Sequence, residues 1–336
     1  MKTNRFVVAM VSAQIAIPVA ASAHHSVAAL FDEDQAIEIN GELTRLFWRN
    51  PHVRLWITDA DGKDWELETS VIGFFERAGV TADLFVEGST IRVMAYPARR
   101  SDSTAYATNV LLADGREILM EPDAEPQWSN RVLDGFERLE IDAAVVAEAE
   151  RSADGIFRVW TNTRGQEWTV VPTAAAMAAR ADWNPETDDP RLRCVAPGMT
   201  DAMASPYPIE LVRESNDVIV IRMEEWDGVR RVYLKGAPDT SAGPTLMGHS
   251  VGHWEGNTLV VSTDRVSWPF FDNIGTPQSE NATIVERFTL SDDETNLSWE
   301  AVITDPENLV EPAVVTQGYT WVPGEEIMEF DCTIPG

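Results

Sequence analysis

Histidine is scarce in this chain, and its positions mark the segments that could carry chemistry. The five histidines fall at residues 24–25, at residue 52 and within residues 249–253. On a β-strand, residues four apart point to the same side, so the sequence predicts that His249 and His253 share a face. Two imidazoles so placed suit acid–base chemistry, metal binding or contact with a ligand.

A carboxylate that could work with this histidine pair lies further along the chain. Residues 279–288 carry two glutamates, and adjacent antiparallel strands would bring one of them to the histidines. We expect Glu286 to complete a catalytic set with the pair. The alternative is structural: a buried Glu286 paired with an arginine such as Arg231 or Arg265, with the histidines hydrogen-bonded in the core.

Aromatic residues follow the histidine pair closely in the sequence. Trp254, Trp268 and Phe271 are the three that we expect to contact a ligand. Aromatic and apolar side chains line most small-molecule pockets, which favours this interpretation. A β-rich protein also uses such side chains as core, and that alternative stays open.

The first residues have the pattern of a secretory signal peptide. Lys2 and Arg5 precede an apolar run over residues 6–19, and small residues follow at 20–23. This order of a basic, an apolar and a small-residue region predicts a signal peptide over residues 1–23. The alternative, a membrane anchor, would need about 20 apolar residues. We therefore expect a periplasmic or secreted protein with no integral membrane span after processing.

Removal of such a signal peptide would expose a histidine at or near the new N-terminus. His24 and His25 could then join the free amine as nitrogen ligands, with His52 as a third side chain. Cu(II) prefers this kind of ligation, so copper is the metal that we expect if these residues form a metal site. The alternative is an ordinary frayed chain end.

The charge balance excludes one class of partner. Asp and Glu number 55 against 26 Lys and Arg, giving a formal net charge of −29. Such a surface repels the phosphate backbone everywhere, so nucleic-acid binding is excluded. A small-molecule ligand is the partner that we expect.

The two cysteines, Cys194 and Cys332, predict a disulfide bond. An exported protein folds in an oxidising compartment, where an even number of cysteines usually pairs. The alternative is a pair of free, buried thiols.

The strand and turn signals predict a mainly β protein with two folded units. Alternating strands interrupted by one short helix, which we expect Ser70 to cap and Gly79 to end, indicate an OB-like barrel over residues 24–120. Residues 121–150, rich in Pro and acidic residues at their start, are predicted to be a linker and connecting segment. Residues 151–336, with about eight strands and a helix near 173–180, predict a larger antiparallel β-barrel or sandwich.

Several motifs resemble an uncharacterised group of exported bacterial proteins. They include Ala-His-His-Ser at 23–26, Asn-Pro-His-Val at 50–53 and the segment from Gly248 to Val261. The resemblance covers nearly all of the mature chain but implies no established activity. An aspartate is usual in that group where this chain has Asn257, which weakens any catalytic role at this position.

These observations lead to two main functional hypotheses, with an interaction module as a third. In the first, the C-terminal β domain binds a small, partly apolar organic molecule and transforms it by acid–base chemistry at His249, His253 and Glu286, as a lyase, isomerase or hydrolase. In the second, the protein is a non-catalytic periplasmic binder of copper or of a hydrophobic ligand.

Overall fold

The structure, a computed structural model, describes residues 27–184, 187–236, 238–239, 241 and 243–334. The predicted signal peptide, His24 and His25 lie outside these residues. The chain is mainly β, with a small five-stranded barrel followed by a larger closed nine-stranded barrel, as expected. Of the helices within the described ranges, none is long and apolar enough to cross a membrane.

The small barrel has the strand order of an OB fold. Its strands are β1 (Ile37–Phe47), β2 (Arg54–Asp59), β3 (Asp64–Glu68), β4 (Thr90–Pro97) and β5 (Thr104–Leu111). The first three strands form an antiparallel meander, β4 pairs with β1, and the parallel pairing of β3 with β5 closes the barrel. In β1, the buried residues Ile39, Gly41 and Leu43 alternate with exposed polar residues, so one side of the strand faces the core.

A short helix, α2 (Ile72–Arg77), lies between β3 and β4 and buries Phe75 in the core of the small barrel. Ser70 does not cap this helix: the cap position is Val71, which makes no side-chain cap hydrogen bond. The backbone N–H of Ile72 instead donates to Oδ1 of Asn50, 3.2 Å away. A side chain distant in sequence thus satisfies this helix end and fixes it to the loop that contains His52.

The acidic segment 121–130 folds back onto the small barrel. Two short strands, β6 (Glu117–Leu119) and β7 (Val132–Asp134), extend the sheet beyond β5. The buried carboxylate of Glu117 accepts backbone hydrogen bonds from Gln127, Trp128 and Ser129 at 2.7–2.8 Å. Burial raises the pKa of Glu117, but these bonds outweigh it and lower the pKa overall. The segment is therefore anchored by an ionised carboxylate.

The larger barrel follows a connecting helix, α3 (Ala143–Ser152). Its strands are β8 (Val159–Thr169), β9 (Ile209–Arg213), β10 (Val218–Met223), β11 (Gly228–Tyr233), β12 (His249–Glu255), β13 (Thr258–Asp264), β14 (Thr283–Leu290), β15 (Asn296–Thr304) and β16 (Ala313–Thr320). Neighbouring strands are antiparallel except β11 and β12, which are parallel. The barrel is closed because β9 pairs with β8 on one side and with β10 on the other. Large side chains such as Trp160, Trp299 and Phe288 fill the interior.

The connection from β8 to β9 is long and carries the predicted helix, α4 (Ala174–Asp182). The side chain of Thr173 caps it by accepting from the backbone of Ala176 at 3.2 Å. After α4, the connection runs back toward the small barrel and contains Cys194.

The predicted disulfide between Cys194 and Cys332 is present, with the two Cα atoms 5.7 Å apart. The backbone of Cys332 also pairs with that of Asn50, and the N–H of Thr333 donates to the Asn50 carbonyl at 3.0 Å. The end of the chain is therefore held between the small barrel and the β8–β9 connection.

Aromatic rings and a charge network join the two barrels. Phe74 of α2 stacks on Tyr207, with ring centroids 5.8 Å apart, and Phe330 meets Tyr207 edge-on. Beside these rings, Arg77 of α2 is hydrogen-bonded to Glu224 and Glu325. The aromatic contacts and the ion pairs of Arg77 together fix one barrel against the other.

Candidate functional site

The structure places Glu286 inside the larger barrel as part of a buried ion pair. Arg230 of β11 forms two hydrogen bonds with its carboxylate, one of them 2.9 Å long, and the indole N–H of Trp299 donates a third at 3.1 Å. Ser250 and Thr263 complete the network around Arg230, at 2.9 and 2.6 Å. Glu286 is therefore buried and paired with an arginine, as in the structural alternative to a catalytic role. The partner is Arg230 instead of Arg231 or Arg265.

His249 and His253 lie on the outer face of β12. Ser250, between them in sequence, points inward to Arg230, so strand alternation directs both histidines outward. His249 is buried, whereas the side chain of His253 is 63% exposed and contacts Glu255 at 3.1 Å. The barrel wall separates the histidines from Glu286, and the structure does not bring the three together.

The predicted ligand-binding aromatics do not form a common pocket. Trp268 and Phe271 are buried in the core of the larger barrel. Trp254 is 39% exposed and meets the ring of Phe157 edge-on. Trp268 and Phe271 therefore contribute to core packing, whereas Trp254 stays partly exposed; ligand contact by these residues stays a prediction.

Of the expected copper ligands, only His52 lies within the described residues. Its Nδ1 donates to the carbonyl of Thr69 at 3.0 Å. Across the ranges that the structure covers, no three His, Cys, Asp or Glu side chains are grouped to hold a metal ion. Copper binding that involves His24 and His25 stays a prediction.

A cavity of about 650 Å³ lies at the junction of the two barrels, and His52 is one of its lining residues. We call it the junction cavity. Its walls come from the β1–β2 loop, α2, β5, the β8–β9 connection, the turn between β10 and β11, and the C-terminal residues Thr333 and Ile334. Its volume is in the range of typical small-molecule sites, about 300–1,000 Å³.

Most of the lining of the junction cavity is apolar or aromatic. Its large apolar and aromatic lining residues include Leu30, Phe31, Phe47, Phe74, Tyr106 and Trp226. Leu30 belongs to a single helical turn, α1 (Val27–Leu30), at the start of the described chain. Such walls favour a ligand with an apolar body.

Glu225 enters the cavity from a turn with an unusual backbone. The next two residues, Trp226 and Asp227, have φ values of 60° and 51°, in the left-handed region that residues other than glycine rarely adopt. The ring of Trp226 packs on Phe330, and the Phe330 N–H donates to Asp227 at 3.0 Å. The C-terminal segment therefore holds this strained turn in place.

The environment of Glu225 raises the pKa of its carboxyl group to about 7. Burial is the main cause, and the nearby carboxylate of Asp201 adds to it. Arg191 and the hydroxyl of Ser205 act in the opposite direction but do not cancel the effect. A carboxyl group with this pKa can both donate and accept a proton near neutral pH.

Arg191 lies beside Glu225 but is already bonded to other carboxylates. Its Nε and Nη2 donate to Asp189, with a shortest distance of 2.8 Å, and its Nη1 lies 3.4 Å from Asp201. Burial alone would lower the pKa of Arg191, but the surrounding carboxylates raise it above its ordinary value. The guanidinium is thus a permanent charge that holds two acidic residues in place.

Two buried tyrosines supply phenol groups at the cavity wall. Burial raises the pKa of both Tyr106 and Tyr207 above the ordinary value, and negative charge on neighbouring glutamates adds to the shift. Both phenols therefore keep their protons at neutral pH and can donate hydrogen bonds. Together with Glu225 they give the cavity polar groups suited to orienting a ligand.

Of the cavity residues, sequence reasoning proposes a binding role only for His52, as a copper ligand; it assigns structural roles to Ser70 and Cys194. The strongest available signal for Glu225 is the pair Glu224–Glu225 at the end of β10, just before the turn at Asp227. Local sequence pattern assigns no role to Asp189 or Tyr207. Nothing in local periodicity indicates that these segments meet.

Comparison with known protein families gives a match to part of the chain. Residues 13–107 match a family of unknown function, DUF6152. The match ends within β5, so its described part covers most of the small barrel, and it agrees with the expected similarity to an uncharacterised family. A comparison with curated proteins gives no match.

The raised pKa of Glu225 leads to a prediction about stability. The carboxyl group has an ordinary pKa of 4.5 and a folded-state pKa of about 7. Between these values the folded state binds more protons than the unfolded state, so this residue's contribution to stability falls as the pH rises. Glutamine resembles the protonated carboxyl and does not titrate. We therefore expect the melting temperature of Glu225→Gln, relative to the wild type, to rise from pH 4.5 to pH 7 and then level off.

Thermal unfolding of both proteins between pH 4.5 and pH 8.5 measures this difference. The other acidic residues titrate in both proteins, so the comparison isolates Glu225. A melting-temperature difference that does not change with pH would show that Glu225 has an ordinary pKa.

Proposed function

We propose that this protein is exported, that it binds a small, partly apolar organic molecule in the junction cavity, and that Glu225 exchanges a proton with this ligand. The observation that carries the proposal is a cavity of about 650 Å³ with aromatic walls and a carboxyl group whose pKa is about 7. Perturbed titratable groups in an apolar cavity are a common mark of functional sites.

The junction cavity is a better location for the ligand than the interior of the larger barrel. Trp160, Trp299 and Arg230 occupy that interior and are almost fully buried. The junction cavity, by contrast, combines free volume with polar groups from both barrels. The proposed ligand site therefore depends on the whole folded chain.

The proposed chemistry is proton transfer by Glu225, with a phenol such as that of Tyr207 orienting the ligand. A carboxylate accepts a proton and the same group, once protonated, returns it, which is the basis of lyase, isomerase and hydrolase reactions alike. Binding without turnover is the alternative. Glu225→Gln separates the two, because it removes proton transfer and leaves the apolar walls unchanged.

A neutral fluorescent probe, N-phenyl-1-naphthylamine, tests binding in the cavity. We expect saturable fluorescence enhancement with the wild type. Ser70→Trp, which places a large side chain at the cavity wall, should lower the affinity for the probe at least about tenfold, or about 1.4 kcal/mol. The matched control is Ser298→Trp, on an exposed position of β15.

Two results would contradict the proposal. One is the absence of saturable probe binding to the folded wild type. The other is equal probe affinity in Ser70→Trp and Ser298→Trp, which would place the probe outside the junction cavity. Far-ultraviolet circular dichroism of each variant confirms that the comparison is made between folded proteins.

A further inference from the structure

We propose that the ligand of the junction cavity is an organic cation, with an amine or quaternary ammonium group on an apolar body. This inference rests on the proposed function, because it assigns a chemical class to the ligand of the same cavity. It follows from the balance of charge around the cavity and from the aromatic surfaces that face it.

Carboxylates outnumber guanidinium groups at the cavity wall. Its acidic residues are Glu68, Glu121, Asp201 and Glu225, and its arginines are Arg54 and Arg191. Each arginine is also bonded to a further carboxylate outside the lining: Arg54 to Glu66 and Arg191 to Asp189. With all six acids ionised and both arginines charged, this group would carry four net negative charges.

The two arginines are held by bonds that restrict their reach. Arg54 contacts Glu66 at 2.6 Å and Glu68 at 3.2 Å. Arg191 is held by Asp189 on one side and Asp201 on the other. An anionic ligand would have to displace one of these carboxylates, whereas a cationic ligand adds the charge that the cavity lacks.

The environment of Glu121 agrees with this charge balance. Burial is the largest cause of its raised pKa, and the negative charges of Glu33 and Asp123 raise it further. A negative potential that favours a bound proton also favours another bound cation at the same place. The positive charge of the ligand and the negative charge of the carboxylates would then compensate each other.

Aromatic rings provide the second set of contacts that a cation requires. Phe31 and Tyr106 form one pair, with centroids 5.6 Å apart, and Phe74 and Tyr207 form another at 5.8 Å. The face of an aromatic ring attracts a cation through its quadrupole, and several such rings form the usual site for quaternary ammonium groups. The same rings pack against the apolar body of the ligand.

Three ligands with one body and different head groups test the proposal: phenylbutylamine, phenylbutanol and phenylbutyrate. They are, respectively, cationic, neutral and anionic at pH 8, where Glu225 is ionised. Displacement of N-phenyl-1-naphthylamine from the wild type gives their affinities. We expect the amine to bind at least about tenfold more tightly than the alcohol, and the carboxylate to bind most weakly.

Variants identify the groups that recognise the cation. Glu225→Gln and Glu121→Gln should each lower the affinity for the amine about tenfold and leave the affinity for the alcohol nearly unchanged. Glu255→Gln is the matched control, because Glu255 is an exposed acid on β12, away from the cavity. Using two cavity variants keeps the test intact if one of them folds poorly.

The outcomes separate this inference from the proposed function. Equal affinities of amine and alcohol, or no displacement by any of the three from a protein that binds the probe, would overturn the cation inference alone. A preference for the amine that survives both cavity variants would also overturn it. Failure of the probe itself to bind would overturn the proposed function.

Discussion

Replacing Arg230 with alanine should lower the free energy of unfolding by about 3–5 kcal/mol. The substitution removes both hydrogen bonds to Glu286 and leaves its carboxylate inside the barrel without a counter-charge. Glu286 is 0% exposed and Arg230 is 2% exposed, so water does not replace the lost partner. Chemical denaturation followed by tryptophan fluorescence measures the change.

The neighbouring arginine provides a matched control. Arg231 is exposed and pairs with the exposed Glu214 on the barrel surface, so Arg231→Ala should cost less than about 1 kcal/mol. The double variant Arg230→Met, Glu286→Leu should recover much of the loss, because it removes both buried charges together. If Arg230→Ala costs no more than Arg231→Ala, the buried pair is not a source of stability.

The second large effect is expected from the disulfide bond. Replacing both Cys194 and Cys332 with serine should lower the free energy of unfolding by about 4–5 kcal/mol in the chain-entropy model. The two cysteines are 138 residues apart, so the bond restricts a large part of the unfolded chain. Denaturant unfolding of the variant and the wild type under non-reducing conditions measures the loss.

The same variant should also bind the neutral probe more weakly. Thr333 and Ile334 line the junction cavity directly after Cys332, and the disulfide holds this end of the chain in place. Alkylation and mass measurement of the unreduced wild type provide the control. Two alkylated thiols in that protein, or an unchanged stability in the serine variant, would contradict this account.

The small barrel is the part of the fold that local pattern predicts best. Strand alternation, a Gly-terminated helix and turn signals lie in the order that an OB fold requires, and each depends on residues close in sequence. The cap of α2 is different, because Asn50 supplies it from another loop. The segment 121–130 is similar: its composition is that of a linker, but the buried Glu117 binds it through three backbone N–H groups.

The candidate catalytic set illustrates a second limit of local pattern. Strand alternation correctly relates positions within one strand, so it could place His249 and His253 on one side of β12. It does not say which side faces the core, nor which of the adjacent Arg230 and Arg231 points inward. Pairing across β11, β12, β13 and β14 settles both, and it puts Glu286 on the opposite face from the histidines.

Composition and periodicity were therefore enough to predict a mainly β chain, a small barrel followed by a larger barrel or sandwich, and the Cys194–Cys332 bond, because these depend on local strand signals and on an even cysteine count. The junction cavity required the folded molecule. Arg191, Tyr207 and Glu225 come from separate segments, and His52 from the other barrel, and they meet only when the barrels dock. The raised pKa of Glu225 has the same origin, since burial and the charge of Asp201 act on it through space.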